Sequence, residues 1–397
     1  MIDIIDEITQ SAQELEPEPE PTQGIITGGD ETAYGDLAIK VRHTQSIPSS
    51  PAVDMLYRAS IAGKYFGELP SRLKGKSKAA KVTTSSSGKA RTITKKTSSS
   101  ETTLNILDID KLPAGRHNIG ARKILVYLLG ELANTGIEQG SLYIDELEIK
   151  SSALVEAGIY KDTIAAKKGL FKAWDTLLSN FKVYGYIESQ KGKKELARAA
   201  VLFPNIEKTR TGARIKVDEK FNWKLLTQFF MPLSKTYFSL PCNAADLFYY
   251  IHYMARQRLN DLKGNYNTKT HSSSFKLTYN SIKNFIGLPD LEAATNPTAQ
   301  IINPIREAIG NILDNAPDEI EIENHITEGA SPAYNLEHAY IVITLKGETL
   351  EQLLKVKQDI DTRTSSKIKR IQRAKDKALQ KHYEKQLEAS DDTQQQA

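Results

Sequence analysis

The sequence predicts an α+β protein in which one order of elements occurs twice: helix, strand, helix, helix and hairpin. Three observations support this prediction. Apolar residues recur at helical spacing in two separate regions, a glycine turn joins two helices in each region, and each region ends in strand-like runs. We therefore divide the chain into two folded domains, 104–232 and 233–357, with flanking regions 1–103 and 358–397.

The first domain is predicted to begin with an amphipathic helix. Its apolar residues recur every three or four positions and are Ile124, Leu125, Leu128, Leu129 and Leu132. A strand is expected around Leu142–Ile144, followed by a short helix that ends near Ala157. Asp162 is the predicted N-cap of a long helix that runs to about Phe181. The strand Tyr184–Gln190 then begins the predicted hairpin.

The second domain repeats this order. Its first helix is predicted to open at Asn243, with Asp246 three residues later in the arrangement of a capping box. A later helix is predicted to start at Asn303-Pro304, because proline suits the first helical position. The strand-like runs Glu319–Ile326 and Ala339–Leu345 predict a long hairpin at the end of the domain.

The flanking regions differ in charge. The first 36 residues contain ten acids and no Lys or Arg, whereas residues 71–100 contain nine Lys or Arg and no acid. Residues 1–103 are predicted to be disordered, apart from a short helix at 52–66, because so few apolar residues cannot offset the entropy of ordering. Residues 365–387 predict a basic helical tail. A basic body with an acidic arm favours a polyanionic partner.

The turn between two helices of the first domain is the clearest local motif. Residues 155–164 read Val-Glu-Ala-Gly-Ile-Tyr-Lys-Asp-Thr-Ile, so that one helix ends, Gly158 permits a positive φ, and Asp162 starts another helix. This is the layout of a helix-turn-helix, whose second helix can enter the DNA major groove. With the hairpin that follows, each domain has the order of a winged helix. Any helical protein can contain such a turn by chance.

The helix after this turn is predicted to have an apolar side and a basic side. Seven residues are assigned to the apolar side: Ile164, Leu170, Phe171, Trp174, Leu177, Leu178 and Phe181. At 100° per residue, Lys161, Lys168 and Lys172 fall within about 40° of one another on the opposite side. Lysines at that position can neutralise the phosphates that flank the groove. The alternative is an ordinary solvated lysine face.

Candidate DNA-binding residues lie in this helix, at two turns and in the second domain. Basic turn residues are expected to contact the DNA backbone, and Asn and Arg can read adenine and guanine edges. The set consists of Lys161, Thr163, Lys168 and Lys172 in the helix, Lys191, Lys193, Lys194, Arg198 and Arg210 at the turns, and Asn303, Arg306 and Asn311 in the second domain. For Asn303 the alternative is that Asn-Pro is simply a good helix start.

No catalytic, cofactor or metal site is predicted. The seven histidines form no His-x-His or His-x-x-x-His pair, and Cys242 is the only cysteine. Gly75-Lys76-Ser77 is similar to the end of a phosphate-binding loop, but Pro70 stands where the first glycine of that loop belongs. No apolar run reaches the roughly 20 residues that a membrane span needs. We therefore expect a non-enzymatic, cytoplasmic protein without a membrane partner.

The span from about Leu104 to Leu345 resembles the replication initiator (Rep) proteins of plasmids and related mobile elements. The resemblance depends on the repeated order of elements, on residues 157–163, and on Phe238-Ser239-Leu240-Pro241 before the second domain. It implies two winged-helix domains that bind repeated origin sequences in duplex DNA and recruit host replication proteins. It also implies a plasmid-associated protein that initiates as a monomer and represses as a homodimer. The acidic arm, basic linker and basic tail depart from the family pattern.

Three other classes of function stay open. A transcriptional or partition regulator would share the DNA-binding half of the prediction. A DNA-nicking enzyme would use one of the seventeen tyrosines as its nucleophile. A structural adaptor would bind a protein through residues 52–66.

Overall fold

A computed structural model describes eleven segments of the chain: residues 44–48, 51–62, 81–84, 91–96, 100–108, 119–138, 144–189, 192–195, 200–201, 203–218 and 230–355. Residues 42–354 form one compact unit. Helices and antiparallel strands are mixed within it, which confirms the predicted α+β class. The acidic arm and the basic tail at 365–387 lie outside the described residues.

The described helices are α1 (Pro51–Ala62), α2 (Ile119–Glu138), α3 (Ser151–Glu156), α4 (Thr163–Ala173), α5 (Thr236–Ser239), α6 (Cys242–Gln257), α7 (Leu259–Gly264), α8 (Tyr279–Ile286), α9 (Asn303–Asn315) and α10 (Pro332–His338). The π-helical turn Trp174–Leu178 follows α4, and a second one, Thr298–Ile302, leads into α9. Residues 347–355 are also helical.

All sheets among the described residues are antiparallel. The strands are β1 (Thr44–Pro48), β2 (Lys81–Thr84), β3 (Arg91–Lys96), β4 (Ser100–Ile106), β5 (Glu146–Lys150), β6 (Phe181–Ser189), β7 (Gly192–Glu195), β8 (Ala200–Val201), β9 (Asn205–Lys208), β10 (Gly212–Lys216), β11 (Phe230–Ser234), β12 (Ser272–Thr278), β13 (Ile320–His325) and β14 (Tyr340–Lys346). Their spatial orders are β1-β11, β2-β3-β4-β6-β7 with β8 beside β6, β5-β10-β9, and β12-β14-β13.

Two of these sheets have the same construction. In each, the first helix is followed by a strand, β5 or β12, then by two helices and a pair of strands. The last strand of that pair, β10 or β14, is hydrogen-bonded to the earlier strand β5 or β12. Ile149 thus pairs with Ala213 in one sheet, and Leu277 pairs with Ile341 in the other. All four side chains are buried. We call residues 119–216 the first repeat and residues 242–346 the second repeat.

The hairpin predicted at the basic turn 191–194 belongs to a different sheet. β6 pairs with β7, but β6 also pairs with β4 from Phe181 to Ile187. The hairpin that completes the first repeat is β9–β10, which turns at residues 209–212. The local pattern of β6 could not reveal this, because its other edge is hydrogen-bonded to a segment far earlier in the chain.

Part of the N-terminal region predicted to be disordered is ordered. The elements β1 to β4 and α1 lie between residues 44 and 106. The predicted short helix at 52–66 is α1, in which Val53, Leu56, Tyr57 and Ile61 are buried. Composition underestimated the order of this region because β1 and β4 take their hydrogen bonds from the distant strands β11 and β6. The rest of residues 1–103 lies outside the described segments.

Element boundaries in the first repeat also differ from prediction. The strand described after α2 is Glu146–Lys150, and Leu142 and Tyr143 of the predicted strand Leu142–Ile144 lie outside the described residues. The alternation of exposed and buried residues in Glu146–Lys150 is the period of a half-buried strand. The long helix predicted to reach Phe181 consists of α4 and the π-helical turn, ends at Leu178, and is followed by β6 from Phe181.

A buried ionic network joins α1, α2 and α6. The Arg122 guanidinium donates to both oxygens of the Asp246 carboxylate, at 2.7 Å from Nη2 and 3.0 Å from Nε. Both side chains are 1% exposed. The Tyr57 hydroxyl donates to the same carboxylate at 3.0 Å, and Arg122 Nη1 donates to the Ser60 carbonyl at 3.2 Å. The capping box predicted for Asn243 and Asp246 is wrong, because the Asp246 side chain is bound to Arg122.

Lys123, the neighbour of Arg122, connects α2 to α5. Its Nζ donates to the carbonyls of Phe238 and Leu240, at 2.6 and 2.8 Å. Burial lowers the pKa of Lys123 to about 8. The first helices of both repeats are therefore held together by polar contacts that neither helix could satisfy alone.

Candidate nucleic-acid interface

The turn between α3 and α4 has the predicted construction. Gly158 has a φ of +78°, and the Ile159 amide donates to the Leu154 carbonyl at 3.0 Å, which closes the end of α3. Asp162 Oδ1 accepts the Ala165 amide at 2.8 Å. The predicted N-cap of α4 is therefore confirmed.

Tyr160 packs the turn against two helices. A Cβ added to Gly169 in α4 would overlap the Tyr160 ring, and one added to Gly120 in α2 would lie 3.1 Å from the Tyr160 hydroxyl oxygen. Burial raises the pKa of Tyr160, so the hydroxyl stays protonated near neutral pH. Both glycines thus leave room for the ring that sets the angle between the turn and α4.

This contact leads to a prediction about Gly169. Gly169→Ala is expected to lower the free energy of unfolding by about 1–2 kcal/mol, because Tyr160 must move away from α4. In a Tyr160→Ala background the same change should instead raise it by about 0.5–1 kcal/mol, the usual advantage of alanine within a helix. Urea unfolding of the four proteins measures both effects. A change of the same sign in both backgrounds would contradict the contact.

The surface of α4 carries the predicted lysines. Lys161, Lys168 and Lys172 are exposed, as is Thr163 at the start of the helix. The opposite side is formed by Ala166, Leu170 and Ala173, which are at most 2% exposed. One buried side and one basic side are therefore present, as predicted.

Ile164 is the exception on this helix. It was predicted to be buried, but its side chain is 69% exposed. At 100° per residue, Leu170 and Ala173 are rotated by about 240° and 180° from Ile164, whereas Lys168 is rotated by only about 40°. Ile164 therefore lies on the basic side, one helical turn before Lys168. The prediction followed the residue type rather than the angle.

The turn of the β9–β10 hairpin is fixed beside α4. Lys167 Nζ donates to the Thr209 carbonyl at 2.7 Å and to the Arg210 carbonyl at 3.2 Å. The Ser151 amide, at the start of α3, donates to the Thr211 carbonyl at 2.9 Å. Three hydrogen bonds thus hold the turn that carries the exposed Arg210 beside α4. Lys167 was not predicted, because its partners are carbonyls about 40 residues away.

The remaining basic residues of the first repeat differ in placement. Arg214 forms an ion pair with Glu146 at 3.0 Å. Lys193 and Lys194 lie in β7, where Lys194 pairs with Ile187 of β6. Lys191 and Arg198 lie outside the described residues, and their DNA-binding role remains a prediction.

Two of the three candidate DNA-binding residues of the second repeat have partners within the chain, and the third lies at a different point of its helix than predicted. Arg306 Nη2 contacts Glu328 Oε1 at 2.5 Å, and Asn311 Nδ2 donates to the Glu307 carbonyl at 2.7 Å. These contacts use only part of the hydrogen-bonding capacity of the two side chains, and their DNA-binding role remains a prediction. Asn303 is exposed, but it is not in the first helical turn.

The start of this helix was predicted too late. Helical backbone begins with the π-helical turn Thr298–Ile302 and continues into α9 without a break. Asn296 Oδ1 accepts the Ala299 amide at 3.2 Å and caps the earlier start. Asn303-Pro304 therefore lies about one turn inside the helix. The other predicted cap of this repeat is confirmed, since Thr278 Oγ1 accepts the Ser281 amide at 3.2 Å.

Charge separates the two repeats. Residues 151–216 contain thirteen Lys or Arg and six acids, a net charge of +7, whereas the equivalent residues 279–346 contain three and ten, a net charge of −7. α9 exposes Asn303, Glu307 and Asp314 where α4 exposes lysines. This difference in charge can be counted from the sequence. The strand pairing is needed, however, to know which segment of the second repeat is equivalent to residues 151–216. The first of these segments is therefore net basic and the second net acidic.

The described residues contain neither a metal-ligand cluster nor a membrane-spanning helix. Within the described segments, no three His, Cys, Asp or Glu side chains are grouped as metal ligands. No described helix has both the length and the apolar character that crossing a membrane requires. No model of a known protein family matches the chain, and no curated protein matches its sequence.

Proposed function

We propose that the first repeat is a winged-helix domain that binds duplex DNA, with α4 in the major groove and the β9–β10 turn on the adjacent backbone. The observation that carries this proposal is the set of exposed lysines, Lys161 just before α4 and Lys168 and Lys172 on one side of it, together with a basic turn that Lys167 holds beside the helix. A major groove about 12 Å wide admits a helix, and its flanking phosphates attract lysines.

The rigidity of the site supports this proposal. A fixed separation between Arg210 and α4 lowers the entropy that is lost when both contact one duplex. Lys167 binds the turn from α4, and Trp174 Nε1 donates to the Phe203 carbonyl at 3.1 Å, next to the start of β9. Thr163, the first residue of α4, is exposed where the reading helix of such domains contacts base edges.

We propose a different role for the second repeat. Its elements follow the same order, so we assign it the same winged-helix fold. The net charge of −7 on residues 279–346 and the ion pair of Arg306 with Glu328 do not favour contact with phosphates through α9. We therefore assign it to protein contacts, with a second copy of the chain or with replication proteins of the host.

Initiation of replication is the biological role that we propose for this DNA binding. It follows from the resemblance to plasmid initiators, which bind repeated sites near an origin, and it is supported by the repeated order of elements. Selection of bound duplexes from a random pool tests it with the full chain. A recurring motif that also occurs as repeats beside the gene is expected, and an absence of any enriched motif would contradict the proposal.

The exposed lysines of α4 give a quantitative test. Lys168→Ala with Lys172→Ala should weaken binding to a selected duplex and reduce the slope of log K against log salt by about 1.8, since each phosphate contact contributes about 0.9. The matched control is Lys235→Ala with Lys269→Ala, two exposed lysines outside the first repeat. Both pairs change the net charge equally. Equal effects of the two pairs would show that only total charge matters, and would contradict the assignment of α4.

A further inference from the structure

Ile164 is an apolar side chain at the centre of a basic surface. It is 69% exposed, more than the other exposed large apolar residues of the described chain, Leu107 and Tyr334. It contributes little to the fold, because it is outside the core and its β-branched side chain is not a strong helix former. An isolated exposed isoleucine is common on protein surfaces, so exposure alone implies no role.

Its position within α4 is what points to a role. Ile164 is the second residue of the helix, where reading helices contact the edges of bases. Lys168 lies one turn further along the same side, and Thr163 is exposed beside it. Lysines on this side would contact the phosphates at the two edges of the groove. The Ile164 side chain would then face the base edges that lie between those phosphates.

The chemistry of the major groove limits what an isoleucine can recognise there. Base edges in this groove present hydrogen-bond donors and acceptors, together with one apolar group, the C5-methyl of thymine. Isoleucine has no polar side-chain atom and can gain free energy only by burying apolar surface. We propose that Ile164 determines specificity by packing on a thymine methyl group in the recognised DNA site.

A protein surface is the other class of partner for an exposed isoleucine. The surroundings favour DNA, because Lys168 and Lys172 lie on the same side of the helix, the exposed Lys161 lies just before its N-cap, and the backbone of Arg210 is held beside it. This inference rests on the proposed function. It adds the base that is recognised and the residue that recognises it.

Replacement of thymine by uracil tests the proposal, because it removes only the methyl group and keeps base pairing and phosphate charge. The full chain is measured against a selected duplex in which each thymine is replaced in turn. At one thymine position for each bound domain, we expect the uracil replacement to lower the affinity about fourfold. This is the effect of losing one buried methyl group, which contributes ~0.8 kcal/mol. Ile164→Ala should bind the thymine duplex more weakly and should no longer distinguish it from the uracil duplex.

Two further variants separate specificity from affinity. Ile164→Val keeps an apolar surface and should retain a preference for thymine. Lys168→Ala should reduce the slope of log K against log salt by about 0.9 but keep the fourfold preference of the wild type. Thermal unfolding of Ile164→Ala should match the wild type, since the side chain lies outside the core.

The outcomes distinguish this inference from the proposed function. The role of Ile164 is overturned if binding is salt-sensitive but uracil has no effect. It is also overturned if Ile164→Ala keeps the preference for thymine. Both outcomes leave DNA binding intact. Unchanged DNA affinity in Ile164→Ala also overturns it. Failure to bind any duplex in a salt-dependent manner overturns the proposed function itself.

Discussion

Replacing Arg122 with methionine is expected to lower the free energy of unfolding by about 3–5 kcal/mol, because it leaves the Asp246 carboxylate buried without its cation. Asp246 is 1% exposed and would keep only the Tyr57 hydroxyl among its strong donors. Urea unfolding at several pH values measures the loss. Few single changes in this molecule remove so many contacts between separate elements.

The pH dependence of this variant has a defined sign. Burial already raises the pKa of Asp246, and the Arg122 cation opposes that rise. Without Arg122 the pKa should rise further, so the folded variant binds a proton that the unfolded chain has released. Its stability should therefore be least affected in acid and should fall as the pH rises through the pKa of the folded state.

Two controls isolate the buried charge. Arg122→Met with Asp246→Leu removes both charges and should recover most of the loss, since an apolar pair can replace a buried ion pair. Arg214→Met breaks the exposed pair with Glu146 and should cost at most about 1 kcal/mol. If the double variant is as unstable as Arg122→Met, the unpaired carboxylate is not the cause.

Gly212→Ala is expected to cost about 3 kcal/mol, the upper end of the effect of overpacking. An added Cβ would overlap the Ile149 carbonyl oxygen and lie 2.9 Å from its carbon. These are backbone atoms of β5, so no side chain can rotate away. The pairing of Gly212 with Lys150 must open, and the adjacent turn that carries Arg210 must move.

A helical glycine offers the matched control for this change. A Cβ on Gly310, in the middle of α9, would meet no atom within 4 Å. Gly310→Ala should therefore raise stability by about 0.5–1 kcal/mol. Thermal unfolding compares the two variants, and Gly212→Ala should also weaken DNA binding. Equal stability of the two alanine variants would show that β5 and β10 do not approach as closely as described.

The candidate site could be predicted in part. The lysine side of α4 was found by a helical angle, which is a property of neighbouring residues. The same angle places Ile164 among the lysines, so its exposure was also accessible to sequence reasoning. Lys167 could not be found in this way, because its role depends on a turn that the fold brings to α4. The partner of Arg306 likewise lies on a separate loop, at Glu328.

The sequence by itself determined the order of elements and the caps at Asp162 and Thr278, because a cap, a glycine turn and a helical period depend on residues a few positions apart. Only the tertiary structure decided which hairpin completes the first repeat and that Asp246 binds Arg122. It also decided that α1 is part of the core. These contacts join segments far apart in the chain, and their free energy comes from burial and strand pairing that no local pattern records.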